Sequence, residues 1–509
     1  MRRALLTTTL LAAIAAAVLY ELGSVPAISL DEAWIGLFAM RLGNLGLYTP
    51  HQMNDYTGPL YAWVVSLLFG GFGASTASLR AFGAALNLAA VLLAWRHLSR
   101  RVSPEAGLAW LALLAASPYF LLKARLAWEV YAFHPILIAL TLPLLRDAVS
   151  GRPGRAAAGL ALLAVVGTQN HFIYLSVPVS LCVLFTARAA WRGETACLPA
   201  LRANAASFAA AAAFVAVKKP LTIDAWQAAR GPWAVALVLA PACAAAAAWA
   251  VPPRVWERAL ERLRAPGLAR AAKLLLAGGI LAYIIWHFPP VIQILAGPVV
   301  FKRLFGLDLS ALVDAPLYAW ALVLGGVLVW RAVRAWHDRG GADAHALTLA
   351  LWPAAYAAVF IAFRHTSSLR YYSLSFLVAA TALAAGAEWL AKADRRPALG
   401  LALVFAGLTQ GLLWRELLAP GDRRPLRFKV GWRRENSVDF ARKDAVFAAF
   451  DASRACRIKD EGPPLMTLPL ILRQYGAGNG DCDPSLVFHA LPCPDCPAAP
   501  YYRWTVSRR

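Results

Sequence analysis

The first 34 residues, MRRALLTTTLLAAIAAAVLYELGSVPAISLDEAW, decide how the rest of the chain is read. Arg2 and Arg3 are followed by seventeen apolar or small residues, close to the ~20 that carry a helix across a bilayer. Two basic residues before such a block have the form of a signal sequence. The acidic pair Asp31-Glu32 follows at once, so a retained signal-anchor is expected in preference to cleavage near Ala27. Similar blocks recur near 76–95, 105–122, 131–145, 156–168, 171–187, 203–217, 232–251, 272–288, 316–333, 346–363, 371–390 and 398–414. Of the 509 residues, 60% are hydrophobic and 15% charged, where a soluble chain carries about 25% charged residues. Disorder, a collagen-like chain and a small disulfide-stapled fold are excluded by the same composition. The expected fold is an all-α polytopic membrane protein with about thirteen transmembrane helices over residues 1–414. A small C-terminal extracytoplasmic domain is expected over 415–509.

Lys and Arg number 50 against 28 Asp and Glu, a net charge of +22. In a soluble protein this would suggest nucleic acid. Here the excess gathers in alternate loops, strongest at 96–101 and 254–273, which is the positive-inside bias. It puts the N-terminus inside and the loop 21–75 outside. No nucleic-acid partner is expected, and membrane lipids are the surroundings. The segment Gly58 to Gly73 is apolar but short, and letting it span would move Arg96, Arg100 and Arg101 outside, so a re-entrant or juxtamembrane helix is expected. The same count splits Ala156 to Ala187 into two spans at Thr168-Gln-Asn-His171. An odd number of spans then leaves the tail outside. The Ala/Arg-rich composition points to a bacterial cytoplasmic membrane with a periplasmic outer face.

From about Glu416 the sequence turns polar. Cys456, Cys482, Cys493 and Cys496 lie there, an even number on the outer face, which favours disulfides with three possible connectivities. Cys493-Pro-Asp-Cys496 also has the spacing of a zinc or thioredoxin motif, with His489 nearby. Cys182, Cys197 and Cys243 read as packing residues.

Carboxylates against span ends are costly and mark function. Asp31-Glu32 lies just past the first span, and Glu129 just past the third, within Ala124-Arg-Leu-Ala-Trp-Glu-Val-Tyr131. After Asp31-Glu32 comes an outer stretch with helical periodicity (Ala33 to Leu47), then His51 and Asp55-Tyr-Thr-Gly-Pro-Leu-Tyr61, and Arg80 opens the second span. This order resembles the first outer loop of the GT-C glycosyltransferases, multi-span enzymes that take a sugar from a polyprenyl-phosphate carrier. The pattern is most similar to the branch of protein O-mannosyltransferases and lipid A aminoarabinose transferases. The likeness is carried by Asp31-Glu32, Pro59-Leu-Tyr-Ala-Trp63, Arg80, Ser117-Pro-Tyr-Phe and Ala124-Arg-Leu-Ala-Trp-Glu129, over about residues 25 to 180. One departure is plain: that branch has a lysine before a double proline to reach the carrier phosphate, and here the stretch reads Tyr56-Thr-Gly-Pro59.

The resemblance implies a glycosyltransferase acting at the outer face, with Asp31 as general base and inversion at the anomeric carbon. Glu32 and Glu129 would orient the acceptor or the basic groups. Transfer also needs cations at headgroup level to stabilise the departing phosphate. Arg364-His365 and Arg370 are the first candidates, because Arg holds two phosphate oxygens at once. Lys302-Arg303 come next, in a loop (289–315) suited to an outer lid. His51, Tyr56, Arg125 and His171 are further candidates to bind the donor phosphate or substrate, with His51 and His171 lining the cavity. The donor is a polyprenyl-phosphate sugar, and the acceptor a glycan, lipid or protein. A divalent metal is not favoured by the resemblance. No Walker, Rossmann or His-Glu-x-x-His pattern appears. The competing reading is a multi-span transporter or flippase of lipid-linked glycans, which acids at mid-span and inverted pairs of broken helices would favour.

Overall fold

A computed structural model describes residues 2–23, 28–45, 57–192, 197–221, 225, 228–265, 267, 344–362, 372–392, 396–418, 426–430, 434–438, 444–460, 482–492 and 502–508. The expected spans 272–288 and 316–333 and the loop between them lie outside these residues.

Helices occupy the apolar blocks. They are α1 (Arg2–Leu19), α2 (Leu30–Leu45), α3 (Leu60–Phe72), α4 (Thr76–Arg101), α5 (Pro104–Ala115), α6 (Pro118–Lys123), α7 (Glu129–Val149) and α8 (Pro153–Asn170). There follow α9 (Ser176–Arg192), α10 (Leu198–Lys218), α11 (Arg230–Ala250), α12 (Pro253–Arg264), α13 (Ala344–Ala362), α14 (Ser373–Lys392) and α15 (Arg396–Leu418). Among the described residues, six helices are long and apolar enough to cross a membrane, and shorter apolar helices accompany them. At 13 residues, α3 spans about 20 Å, short of the ~30 Å hydrocarbon layer, which agrees with a re-entrant or juxtamembrane segment.

Local chemistry sets the boundaries. The Ser75 hydroxyl accepts from Ser78 N (3.1 Å) and the Ser78 hydroxyl accepts from Ser75 N (3.0 Å), a reciprocal cap that starts α4. Ser103 caps α5 through Ala106 N (3.1 Å), with Pro104 supplying a residue that has no N–H to leave unpaired. The expected span 105–122 is broken. Ser117 caps a new helix through Phe120 N (3.0 Å), and Pro118 cannot continue the ladder of α5, so α5 and α6 are separate. A break is expected at 168–171; α8 runs on through Asn170, and the break falls just after it, as one 3-10 turn, Phe172–Leu175, capped by His171 Nδ1, which accepts from Ile173 N (3.1 Å).

Ion pairs and caps divide the bundle into two ends. At one, Arg3 meets Glu105 at 2.7 Å and Arg155 meets Asp147 at 3.6 Å. Arg264 of α12 donates to the Ala189 and Ala190 carbonyls that finish α9 (3.1 and 3.0 Å). The opposite end holds residues 20–23 and 28–29 and the turns 57–59, 73–75 and 124–128. Between the ends, α9 and α13 are laced together. Ser176 Oγ donates to Tyr356 Oη (2.8 Å), Trp352 Nε1 to Ser180 Oγ (3.0 Å), and Arg188 Nη1 to Thr348 Oγ1 (2.5 Å). The three residues of α9 recur on one face, and in lipid each such bond adds about 0.6 kcal/mol.

The tail is not helical throughout. Strands β1 (Leu426–Val430) and β2 (Arg434–Val438) pair antiparallel. Helix α16 (Asp444–Ser453) precedes β3 (Ala455–Asp460), which runs parallel to β4 (Asp483–Pro492), and β5 (Tyr502–Arg508) pairs antiparallel with β4. Phe450, Ala455 and Phe488 form its core, and a disulfide joins Cys456 to Cys482. Cys493 and Cys496 lie outside the described residues.

One close approach fixes the loop that leads into α3. Gly58 N donates to Asn170 O (3.2 Å), Thr57 bridges His171, and a methyl group at residue 58 would overlap the Gln169 carbonyl. Gly58→Ala should therefore lower the unfolding temperature in detergent by several degrees. Gly70→Ala, in α3 with open space around it, should be neutral or stabilise by up to ~1 kcal/mol. Thermal unfolding of both variants checks the contrast.

Candidate active site

The site is built from the start of α2. Ser29 caps the helix: its hydroxyl accepts from Glu32 N (3.3 Å), while Glu32 Oε2 accepts from Ser29 N (3.0 Å). This is a Ser-x-x-Glu capping box, a reciprocal pairing that marks the helix start. The acidic first turn also suits the positive end of the helix dipole.

Glu32 is wholly buried and each of its oxygens is used twice. Oε1 accepts from Arg80 Nε (2.8 Å) and Ala127 N (2.8 Å); Oε2 accepts from Arg80 Nη2 (2.9 Å) and Ser29 N. Arg80, equally buried, passes Nη1 to the Leu22 carbonyl at 3.1 Å. One carboxylate thus ties together the turn after α1, the start of α2, the first turns of α4 and the 124–128 turn. Burial alone would raise the Glu32 pKa, but the charge and hydrogen bonds of Arg80, with the backbone donors of Ser29 and Ala127, hold it below its ordinary value. Asp31, the preceding residue, is only half-buried.

Glu129 opens α7. It is buried, its Oε1 accepts from Trp128 Nε1 (3.1 Å), and its carbonyl accepts from Asn170 Nδ2 (3.1 Å). Asn170 thereby joins the second acid to the end of α8. His171 lies beside it, with His134 edge-on at 6.2 Å between ring centroids. Since His171 Nδ1 accepts a backbone hydrogen, the neutral ring carries its proton on Nε2. Lys218, at the end of α10, donates Nζ to the Thr57 carbonyl (3.2 Å). The structure thus gathers Asp31, Glu32, Glu129 and His171 at one end of the bundle.

Arg125 has a different place from the one expected of it. It is buried and donates to the carbonyls of Ala17 (3.2 Å) and Tyr20, so it caps the C-terminus of α1 rather than binding donor or substrate. His51, Tyr56, Lys302, Arg303, Arg364, His365 and Arg370 lie outside the described residues. Among those described, no group of three or more His, Cys, Asp or Glu side chains is placed to hold a metal ion.

Arg80, Asn170 and Lys218 join the site without having been singled out as site residues, and so does Lys123 at the end of α6. Its Nζ sits 5.7 Å from the Tyr119 ring centroid and 5.3 Å from that of Tyr131, whose hydroxyls are 2.7 Å apart. The spacing of Tyr119, Lys123 and Tyr131 gives the one available signal, since Tyr119 and Lys123 are four residues apart on α6.

Fold and site together define a multi-span membrane protein with paired acids and basic groups gathered at one end of the bundle. No family model matches the sequence, and no curated protein matches it. Among solved structures, the chain is similar to the crystal structure of ArnT from Cupriavidus metallidurans bound to undecaprenyl phosphate. The identity is 12% over 96% of this chain and 92% of that one, with a TM-score of 0.41. It is also similar to the same organism's ArnT in the apo state, with 14% identity over 77% and 79% of the two chains and a TM-score of 0.31. Function is therefore read from the chain's own residues.

Breaking the Glu32–Arg80 pair from one side strands a buried charge, so Glu32→Gln or Arg80→Met should each cost about 3–5 kcal/mol. The double variant should lose less than the sum of the two. A carboxylate held low in the folded state contributes stability above its unfolded pKa and loses it as pH falls through the folded value. Wild-type stability should therefore decline below about pH 4.5, and the double variant should show a shallower decline in a pH series of thermal unfolding.

Proposed function

We propose that the chain is a glycosyltransferase that moves a sugar from a polyprenyl-phosphate donor to an acceptor hydroxyl at the outer face of the membrane. Asp31 is the general base. It takes the proton of the acceptor hydroxyl as that oxygen bonds to the anomeric carbon, from the face opposite the phosphate. The bond from the anomeric carbon to the phosphate oxygen breaks, its electron pair leaves with the polyprenyl phosphate, and the configuration inverts.

The observation that carries this reading is the division between neighbouring acids. Glu32 is saturated by four donors and anchors α2, whereas Asp31 sits half-buried on the same first turn. A base must gain a proton during the reaction, and a carboxylate bound to Arg80 on both oxygens is poorly placed to do so. Glu129, held by Trp128 and through its backbone by Asn170, orients the acceptor. Arg364, His365, Arg370, Lys302 and Arg303 are the proposed cations for the departing phosphate, with 289–315 as a lid over the donor. His51, Tyr56 and His171 line the cavity.

The acceptor is a glycan, lipid or protein, and the proposed setting is a bacterial cytoplasmic membrane with the site and residues 415–509 on the periplasmic side. The Cys456–Cys482 disulfide supports an oxidising compartment for the tail.

The test is release of free polyprenyl phosphate from a panel of polyprenyl-phosphate sugars by purified protein, with membrane extract as acceptor. Asp31→Asn should reduce turnover by about 10²–10⁴-fold while leaving the unfolding temperature near wild type. Wild-type protein that consumes no donor in that panel would sink the reading.

A further inference from the structure

The apolar helix α11 leads straight into a charged one. At 21 residues α11 runs about 31 Å, the thickness of the hydrocarbon layer, so its last turn at Ala250 stands at headgroup level. Pro252 and Pro253 then break the ladder, and α12 begins at once. Arg202 of α10 fixes this corner. Its Nη2 donates to the Trp249 carbonyl (2.6 Å), and its guanidinium lies over the Trp249 ring, 4.5 Å from the centroid. The other end of α12 is tied to α9, where Arg264 donates to the Ala189 and Ala190 carbonyls. Both ends of α12 are therefore held at the ends of spans on one side of the bundle, and the helix lies along the membrane surface rather than across it.

The residues of α12 divide by face. Trp256, Leu260 and Leu263 recur at helical spacing and pack onto the apolar core of the bundle, Leu260 buried and the other two half-buried. Arg254, Arg258 and Arg262 follow one another at four-residue spacing and form a separate row, all three exposed. Beside that row run Val255, which is 45% exposed, and Ala259, also exposed. Glu257 and Glu261 fall on the other side of the arginines, toward Arg264. Arg258 Nε donates to the Arg254 carbonyl within the helix (3.4 Å), and among the described residues none of the three arginines forms an ion pair. Like charges four residues apart repel one another on a helix, and a shared partner of opposite charge removes that repulsion.

This face thus sets three guanidinium forks beside a short apolar strip, at headgroup depth. Arg can hold two oxygens of one phosphate. A basic row next to an apolar one is the form in which a helix binds a lipid surface, through buried apolar area and attraction to anionic headgroups.

We propose that α12 binds acidic phospholipid in the leaflet at this end of the bundle. Arg254, Arg258 and Arg262 meet headgroup phosphates that carry a net negative charge, and Val255 and Ala259 lie against the first acyl carbons. A zwitterionic lipid offers the same phosphate with its charge cancelled by an ammonium, so the row discriminates between the two. This binding does not depend on the transferase reading, because α12 lies at the end of the bundle opposite the acids.

The experiment follows a fluorescent phosphatidylglycerol on the purified full chain in neutral detergent. Phosphatidylglycerol, phosphatidylcholine and inorganic phosphate are the competitors. Wild type should prefer phosphatidylglycerol to phosphatidylcholine by about tenfold or more, since each arginine near an anionic headgroup layer contributes about fivefold. Arg254→Gln/Arg258→Gln should lose most of that preference. Ala259→Glu, a single exposed change that sets a carboxylate beside the arginine row, should weaken it several-fold and serves if the double variant does not fold. Arg100→Gln/Arg101→Gln removes the same charge from exposed arginines at the same end of the bundle and should keep the wild-type preference.

Equal competition by the two lipids in wild type would overturn the proposal, and so would an unchanged preference in both α12 variants. A loss in Arg100→Gln/Arg101→Gln as large as in the α12 double variant would assign the preference to the charge of the whole end, which also overturns it. Inorganic phosphate that competes as well as phosphatidylglycerol would make the row a site for free anions, with the same result.

Discussion

The end of the bundle that gathers the acids depends on one buried ion pair. Glu32 and Arg80 are wholly enclosed, and removing two charges from water costs several kcal/mol per ion before any attraction is counted. The pair is sustained because the carboxylate receives four donors and the guanidinium has a further acceptor in the Leu22 carbonyl. These bonds join Glu32 to Ser29, Arg80 and Ala127, with Arg80 giving two of the four donors, and tie Arg80 to Leu22. A break at any one leaves a charge in a place with no water to take it, so the turns after α1, before α2 and before α7 are fixed as a unit.

Around that unit the remaining turns are held by backbone contact. Gly58 lies against the end of α8 where no side chain fits, Lys218 reaches the Thr57 carbonyl from α10, and Asn170 holds the Glu129 carbonyl. Arg125 finishes α1 by meeting carbonyls that have no partner within the helix. Two arginines and a lysine that would look like ligands for an anion are thus bound to the protein's own oxygens. Cations serving the proposed phosphate must come from elsewhere.

Much of this was legible in the sequence, and what was not has a physical reason. Apolar blocks give helices because a bilayer leaves the backbone no other partner, and every described block from 4–20 to 398–414 carries one. The break at Ser117-Pro118 was present as a Ser-Pro cap but lay hidden inside one continuous apolar block. Asp31, Glu32 and Glu129 stood out because acids are scarce there, yet their separate roles depend on partners far away in sequence. Glu32 meets Arg80 48 residues on and Ala127 95 residues on. Nothing local to Arg125 reveals its acceptors, which lie 105 and 108 residues earlier. Lys123 closes a short helix as an ordinary interfacial charge would, and only the fold brings the Tyr131 ring beside it.

The two acids at the start of α2 show why adjacency in sequence can separate roles rather than share them. Successive residues on a helix point about 100° apart, so when Glu32 is turned inward to Arg80, Asp31 is necessarily turned away from it. Protonating Glu32 would weaken four hydrogen bonds at once and leave Arg80 with an uncompensated buried charge, which is why its pKa is held low. That same commitment makes it a fixed support. Asp31, half-buried and a short step from it, inherits a defined position without the burden of neutralising Arg80, and this is the ground on which it is proposed as the base. In the proposed reaction the saturated acid supplies the rigidity that the base needs.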